Sequence, residues 1–176
     1  MKLYRTMLFA SLFATGCALA DGTGSFTVHG KEFSLKSAYA YTHSDPFDST
    51  KQATVIAFCA RAFDEKQIAS ADDPAAALSD ALNAYVSSKE KRPAKVEIIV
   101  ARGKASEPIL DVSYSIPGES SQANSRAASY IIEFKRNDDK RIEGTLRSKL
   151  DADKNARFGG YFDLDFALDV HPDAGG

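Results

Sequence analysis

The 176-residue sequence has no tryptophan and only two cysteines, two methionines and six prolines. The lack of tryptophan weakens the case for a sugar-stacking surface. Neither sign of charge dominates, because 22 basic and 24 acidic side chains leave a net charge of −2, which excludes a strongly basic nucleic-acid-binding protein. Hydrophobic residues make up 44% of the chain, which is typical of a globular protein, and the length predicts one domain.

The N-terminal segment is typical of a secretory signal peptide. Lys2 and Arg5 give a positive start, residues 7–14 form an apolar run, and Ala18-Leu19-Ala20 fits a signal-peptidase site. We therefore expect a signal peptide over residues 1–20, a single β-rich domain over residues 21–176, and a periplasmic or extracellular location. No later segment approaches the roughly 20 apolar residues of a membrane-spanning helix, so we expect no transmembrane segment.

A second cleavage site would give a different product. Thr15-Gly16-Cys17 ends like a bacterial lipoprotein signal, which would put a lipid anchor on Cys17 and the protein at the outer membrane. Ala14 stands where that signal usually has leucine, so the soluble product is the preferred prediction. After cleavage at Ala20 only Cys59 remains, which excludes an intrachain disulfide.

Alternation of apolar and polar residues predicts strands along most of the mature chain. Phe26 and Val28 lead into a turn at 29–31, and one strand from Glu32 to Tyr41 should place Phe33, Leu35, Tyr39 and Tyr41 on one face. Residues 52–60 are apolar at successive positions, as in a strand covered on both faces. A polar loop is expected over 117–128. The inward positions expected in later strands are Val96, Ile98, Val100, Leu110, Val112, Tyr114, Ile116, Tyr130, Ile132, Phe134, Phe162, Leu164, Phe166, Leu168 and Val170.

One helix is predicted over residues 73–92. Asp73 is a good N-cap, Pro74 fits the first helical position, and Leu78 and Leu82 belong to an apolar stripe with helical spacing. The predicted fold class is mainly β (α+β), an antiparallel β-sandwich or open barrel of about eight strands with this one covering helix.

No nucleophile or metal motif in the sequence is complete. Cys59 lies in an apolar strand, where a thiol is usually buried and inert. His29, His43 and His171 lack the spacing of a zinc site. Residues 151–155 open like a calcium loop, but alanine follows where that loop needs glycine, so a hairpin loop is preferred.

Paired carboxylates and a basic strip also favour a solvated surface over a site. Asp163 and Asp165 share one strand face and could act as general acid and base, but such charges normally solubilise a sheet. We therefore predict no catalytic residue, no metal and no cofactor. Basic residues cluster on two consecutive strands, where acids face them, at Lys135, Arg136, Lys140, Arg141, Arg147 and Lys149.

Tyrosine and phenylalanine are frequent, and some of them could line the mouth of a barrel that holds an apolar ligand. Core filling explains these residues equally well. The candidate ligand-binding residues are Tyr39, Tyr41, Tyr114, Tyr130 and Phe134.

Four segments carry a resemblance. Residues 24–31 (GSFTVHGK), 38–41 (AYAY), 140–146 (KRIEGTL) and 161–166 (YFDLDF) are similar to the ends of small exported bacterial β-rich proteins of uncharacterised function. The resemblance implies export and a single β-rich domain, and it implies no catalytic residue.

Three functions follow as hypotheses. The first is an exported, non-enzymatic binding or interaction domain with an unknown protein partner or a small apolar ligand. The second is a barrel-type carrier of a small apolar ligand, which requires a cavity lined by the aromatic residues. The third is a hydrolase that uses an acid and a histidine, which requires both groups to meet in one cleft.

Overall fold

The computed structural model describes residues 21–83, 92–103, 108–118, 123–125, 130–149 and 161–172. Within these ranges the chain is mainly β, which confirms the predicted fold class. In chain order the elements are β1 (Asp21–Val28), β2 (Lys31–Leu35), β3 (Ser37–Ser44), β4 (Gln52–Cys59), α1 (Glu65–Ala69), α2 (Pro74–Asn83), β5 (Lys95–Ala101), β6 (Ile109–Ser115), β7 (Ala123–Ser125), β8 (Tyr130–Asn137), β9 (Arg141–Ser148) and β10 (Tyr161–His171).

Strand β10 joins two halves of one curled sheet. One edge of β10 pairs antiparallel with β9, and the other edge pairs antiparallel with β1 and then parallel with β3 at Val170 and His171. The β10 half has the strand order β2-β1-β10-β9-β8, and the β4 half has the order β3-β4-β5-β6-β7. The mixed sheet curls into a half-barrel, so the inner faces of both halves meet.

The interior of the half-barrel is filled by side chains from both halves. Phe26 and Phe162 stack with ring centroids 5.7 Å apart, and Tyr114 from β6 lies 5.8 Å from Phe26. Tyr130 from β8 meets Phe162 edge-on at 5.2 Å. Phe26 and Phe162 are fully buried, so these rings form a packed aromatic core.

The chain changes halves at Lys36. Its backbone N–H donates to the Cys59 carbonyl at 2.9 Å, and this residue separates β2 from β3. Leu35 faces the interior, whereas Tyr39 faces outward. The prediction of one strand with Phe33, Leu35, Tyr39 and Tyr41 on one face is therefore wrong, because the break reverses the alternation, and Ala38 and Ala40 turn inward instead.

Two helices cover the outer face of the β4 half. Strand β4 is buried from Ala53 to Cys59, which confirms that it is covered on both faces. Asp73 caps α2 as predicted, since its Oδ1 accepts a hydrogen bond from the Ala76 N–H at 2.9 Å. The helix predicted over 73–92 is described as α2 as far as Asn83, residues 84–91 lie outside the described ranges, and Arg92 is not helical.

Two elements, α1 and β7, and one register shift were not predicted. Helix α1 has five residues, too few to show a periodic pattern, and the Asp64 side chain caps it. Strand β7 lies inside the expected loop at 117–128 and pairs with β6. A register shift between β5 and β6 turns Ile109 inward where Leu110 was expected.

None of the helices in the described ranges is long and apolar enough to span a membrane.

Candidate functional site

A row of aromatic side chains follows β3 on the outer face of the β4 half. Tyr39, Tyr41 and His43 alternate along the strand, with ring centroids 6.4 Å apart at each step. Across the sheet, Tyr39 is in register with Ala57, and Ala57 is in register with Glu97 on β5. Because alanine has a short side chain, the sheet surface has a depression between Tyr39 and Glu97.

Helix α2 lies over this depression, and the two together form a groove of about 290 Å³. The ring row forms one wall, and Leu78, Ser79 and Leu82 of α2 contribute to the other. Leu78 and Leu82 are buried, because they also pack into a small outer core with Ile68 of α1. A groove of this size is at the lower end of small-molecule sites, which start at about 300 Å³.

Two opposite charges lie side by side in the groove lining. Lys95 and Glu97 alternate along β5, and their side chains are only 14% and 26% exposed. The Lys95 Nζ lies 3.3 Å from the Asn83 Oδ1 and 4.0 Å from a carboxylate oxygen of Glu97. The groove therefore combines aromatic and aliphatic walls with one cation and one anion.

A histidine and a glutamate lie behind Tyr39. The His171 ring stacks on the Tyr39 ring at 4.7 Å with an angle of 11° between the planes. The His171 Nε2 is 3.0 Å from the Glu65 Oε1, and Glu65 is the first residue of α1. Burial, with the charge of Glu65 as a second cause, raises the pKa of Tyr39 to about 12. These contacts hold the tyrosine neutral and fixed in the groove wall.

The structure divides the five predicted ligand-binding residues into two groups. Tyr39 and Tyr41 line the groove on the outer face. Tyr114 and Tyr130 are buried between the two halves, and Phe134 packs against the same interior core, edge-on to Phe166 at 6.3 Å. The aromatic residues that were expected in one barrel mouth therefore lie on opposite faces of the sheet.

The other candidate residues have structural partners. Cys59 is fully buried, and burial raises the pKa of its thiol, which keeps the sulfur protonated and unreactive. Arg147 Nε and Nη2 bind Asp163 at 2.7 Å and Asp165 at 3.0 Å, so these two carboxylates form ion pairs. Within the described ranges, no three His, Cys, Asp or Glu side chains cluster as metal ligands; residues 151–155 lie outside those ranges.

The basic strip is largely neutralised by acids. Lys135 lies 3.4 Å from Glu143, Arg136 lies 2.5 Å from Asp138, and Arg141 lies 2.8 Å from Asp169.

Four residues around the tyrosines were not selected as ligand-binding candidates from the sequence: Lys95, Glu97, Glu65 and His171. The two β5 charges read as ordinary outward positions of an alternating strand, and only the register of β3, β4 and β5 shows that they face Tyr39. Glu65 and His171 are 106 residues apart in the chain. The acid and histidine that a hydrolase would need do meet here, but their contact lies behind Tyr39 and outside the groove lining.

Comparison with known proteins finds no matching family model, no matching curated protein and no matching solved structure.

Proposed function

We propose that this protein is an exported, non-enzymatic binding domain that holds a small amphipathic molecule in the groove between β3, β5 and α2. The observation that carries the proposal is the groove itself, in which an aromatic wall faces apolar side chains of α2 and a pair of charges lies alongside. Mixed linings of this kind, with few polar groups in fixed positions, are typical of small-molecule sites.

Preorganisation supports a binding role. Tyr39 is only 2% exposed, and it is held by the His171 ring on one side and by the outer core on the other. A wall that is already ordered loses little conformational entropy when a ligand binds. The ligand lies on the outer face in this proposal because packed rings occupy the interior, where a barrel-type carrier would hold it.

A direct binding test uses a variant that fills the groove. Ser79 lines the groove on an exposed turn of α2, so Ser79→Trp should place an indole ring in it. We expect saturation-transfer NMR to detect binding of 3-phenylpropionate and of phenethylamine to the native protein, and to lose both signals in Ser79→Trp. Asp80→Trp, on the outward side of the same helix, should keep them. Equal binding to both variants would contradict the groove as the site.

The export part of the proposal rests on the leader-like sequence of residues 1–20. The test is the mass of the protein isolated from the cell envelope of its own host. A mass for residues 21–176 supports the soluble product, a start at Cys17 with acyl chains indicates a lipoprotein, and an uncleaved chain refutes export by this leader.

A further inference from the structure

We propose that the ligand of the groove is an aromatic molecule that carries a carboxylate and an ammonium group on the same carbon atom, as an aromatic α-amino acid does. The inference rests on the proposed function and names its ligand class. It is carried by the juxtaposition of Lys95 and Glu97 with the ring row of β3.

The two charges have capacity for further partners. An ammonium group has three donors, and the Lys95 Nζ uses one of them on Asn83 at 3.3 Å. The distance of 4.0 Å between Lys95 and Glu97 is longer than a hydrogen bond, so the pair attracts without a direct donor–acceptor contact. A carboxylate next to Lys95 and an ammonium group next to Glu97 would each gain a charge-assisted hydrogen bond.

Partial burial makes this charge pattern selective. Both side chains are mostly withdrawn from water, and a ligand in the groove would withdraw them further. A neutral ligand would give neither Lys95 nor Glu97 a new partner. A singly charged ligand would bury one of these two charges further without giving it a partner of opposite charge, which costs free energy. A zwitterion pairs both, so opposite adjacent charges select a molecule with opposite adjacent charges.

The walls and the volume set the rest of the ligand. Tyr39, Leu78 and Leu82 pack together in the outer core, and the Tyr41 ring, tilted by 39° from Tyr39, packs against them. A flat ring laid on this surface beside Tyr41 gains offset or edge-on aromatic contacts together with apolar burial. A volume of about 290 Å³ suits one ring with a short polar end and is too small for a long acyl chain.

The test compares three probes that share one phenyl ring and a two-carbon chain. L-Phenylalanine carries both charges, 3-phenylpropionate lacks the ammonium group, and phenethylamine lacks the carboxylate. We expect isothermal titration calorimetry with the full-length mature protein to show a Kd for L-phenylalanine at least tenfold lower than for either singly charged probe. This comparison uses the native protein alone, so it does not depend on the folding of any variant.

Variants then assign each charge. Lys95→Gln should raise the Kd of L-phenylalanine to near that of phenethylamine, and Glu97→Gln should raise it to near that of 3-phenylpropionate. Lys135→Gln, a fully outward lysine on β8, should leave all three Kd values unchanged. Thermal melting of each variant checks that it is folded.

The outcomes separate the two proposals. Equal Kd values for the three probes, lost in Ser79→Trp, would refute the zwitterion and leave the binding function standing. Failure of all three probes to bind would overturn both. A preference for L-phenylalanine that persists in Lys95→Gln and in Glu97→Gln would refute the role of these two charges.

Discussion

The outer faces of the two halves come from the same alternating pattern and have opposite characters. On the β10 half, Arg147 bridges Asp163 and Asp165, and Arg141 binds Asp169, with the acids more than half exposed. On the β4 half, Tyr39, Ala57 and Cys59 face outward, and side chains of helices α1 and α2 cover them. Alternation identifies which side chains leave the interior, but only the docking of distant elements decides whether a face stays in water.

The pKa shifts differ in the same way between an exposed turn and the covered face. In the exposed turn between β8 and β9, the hydrogen bond from Arg136 lowers the pKa of Asp138 to about 2. On the covered face, burial raises the pKa of both Tyr39 and Cys59. The ionised form is therefore stabilised in the exposed turn and opposed by burial at Tyr39 and Cys59.

The largest expected effect comes from a substitution in the outer core, where helices α1 and α2 pack on the β4 half. Ile68 of α1 is 4% exposed in the outer core, whereas Ile131 of β8 is 48% exposed on the β10 half. Ile68→Ala should lower the free energy of unfolding by about 2–4 kcal/mol, because it removes buried methyl groups and leaves a cavity. Ile131→Ala, the same chemical change, should alter it by at most about 0.5 kcal/mol. Urea unfolding of both variants measures the difference, and equal losses would contradict the contrast between the faces.

A second prediction uses the pKa of Tyr39. The folded protein keeps the phenolic proton up to about pH 12, whereas the unfolded chain loses it near pH 10. The unfolded state therefore binds fewer protons between these values, and stability falls as the pH rises through this window. The loss from this residue should approach about 2–3 kcal/mol.

The measurement is denaturant unfolding at several pH values from 9 to 12, in the native protein and in Tyr39→Phe. The variant retains the ring, so its stability should fall less steeply over this window. Glu65→Gln should give an intermediate slope, because it removes the carboxylate charge but leaves the burial of the tyrosine. Identical slopes in the native protein and Tyr39→Phe would show that another group controls the alkaline stability.

The smallest expected effect is on the solvated face. Arg147→Gln removes the guanidinium group that binds Asp163 and Asp165, and the stability should fall by about 0.5–1 kcal/mol at low salt. Screening should shrink this loss in about 1 M NaCl. Lys135→Gln, which breaks only the exposed contact with Glu143, should cost less at either salt concentration. A loss of several kcal/mol that does not depend on salt would contradict the solvated character of this face.

The predictability of each element depends on how local its signal is. The double burial of β4, the inward row of β10 and the Asp73 cap all follow from neighbouring residues, and all three are confirmed. The break at Lys36 carries no proline or glycine, and the hydrogen bond that stabilises it comes from Cys59, 23 residues further along the chain. The sequence therefore predicted one strand where the fold has two.

The site was less predictable than the fold for the same reason. Tyr39 and Tyr41 could be selected as candidates because aromatic residues alternate along β3. Tyr114 was grouped with them although it lies on the opposite face of the sheet, because period-two alternation does not say which side of the sheet is the interior. Glu97 and His171 reach the tyrosines only through strand pairings that bring distant segments together.

The most direct test of the account is a map of ligand-induced shifts in the amide NMR spectrum. L-Phenylalanine is titrated into ¹⁵N-labelled mature protein until the shifts saturate. We expect the shifted amides to cluster at residues 39–43 of β3, residues 78–83 of α2 and residues 95–97 of β5, and the amides of β8 and β9 to keep their positions in the spectrum. Saturable shifts confined to β8 and β9, or no saturable shift at all, would contradict it.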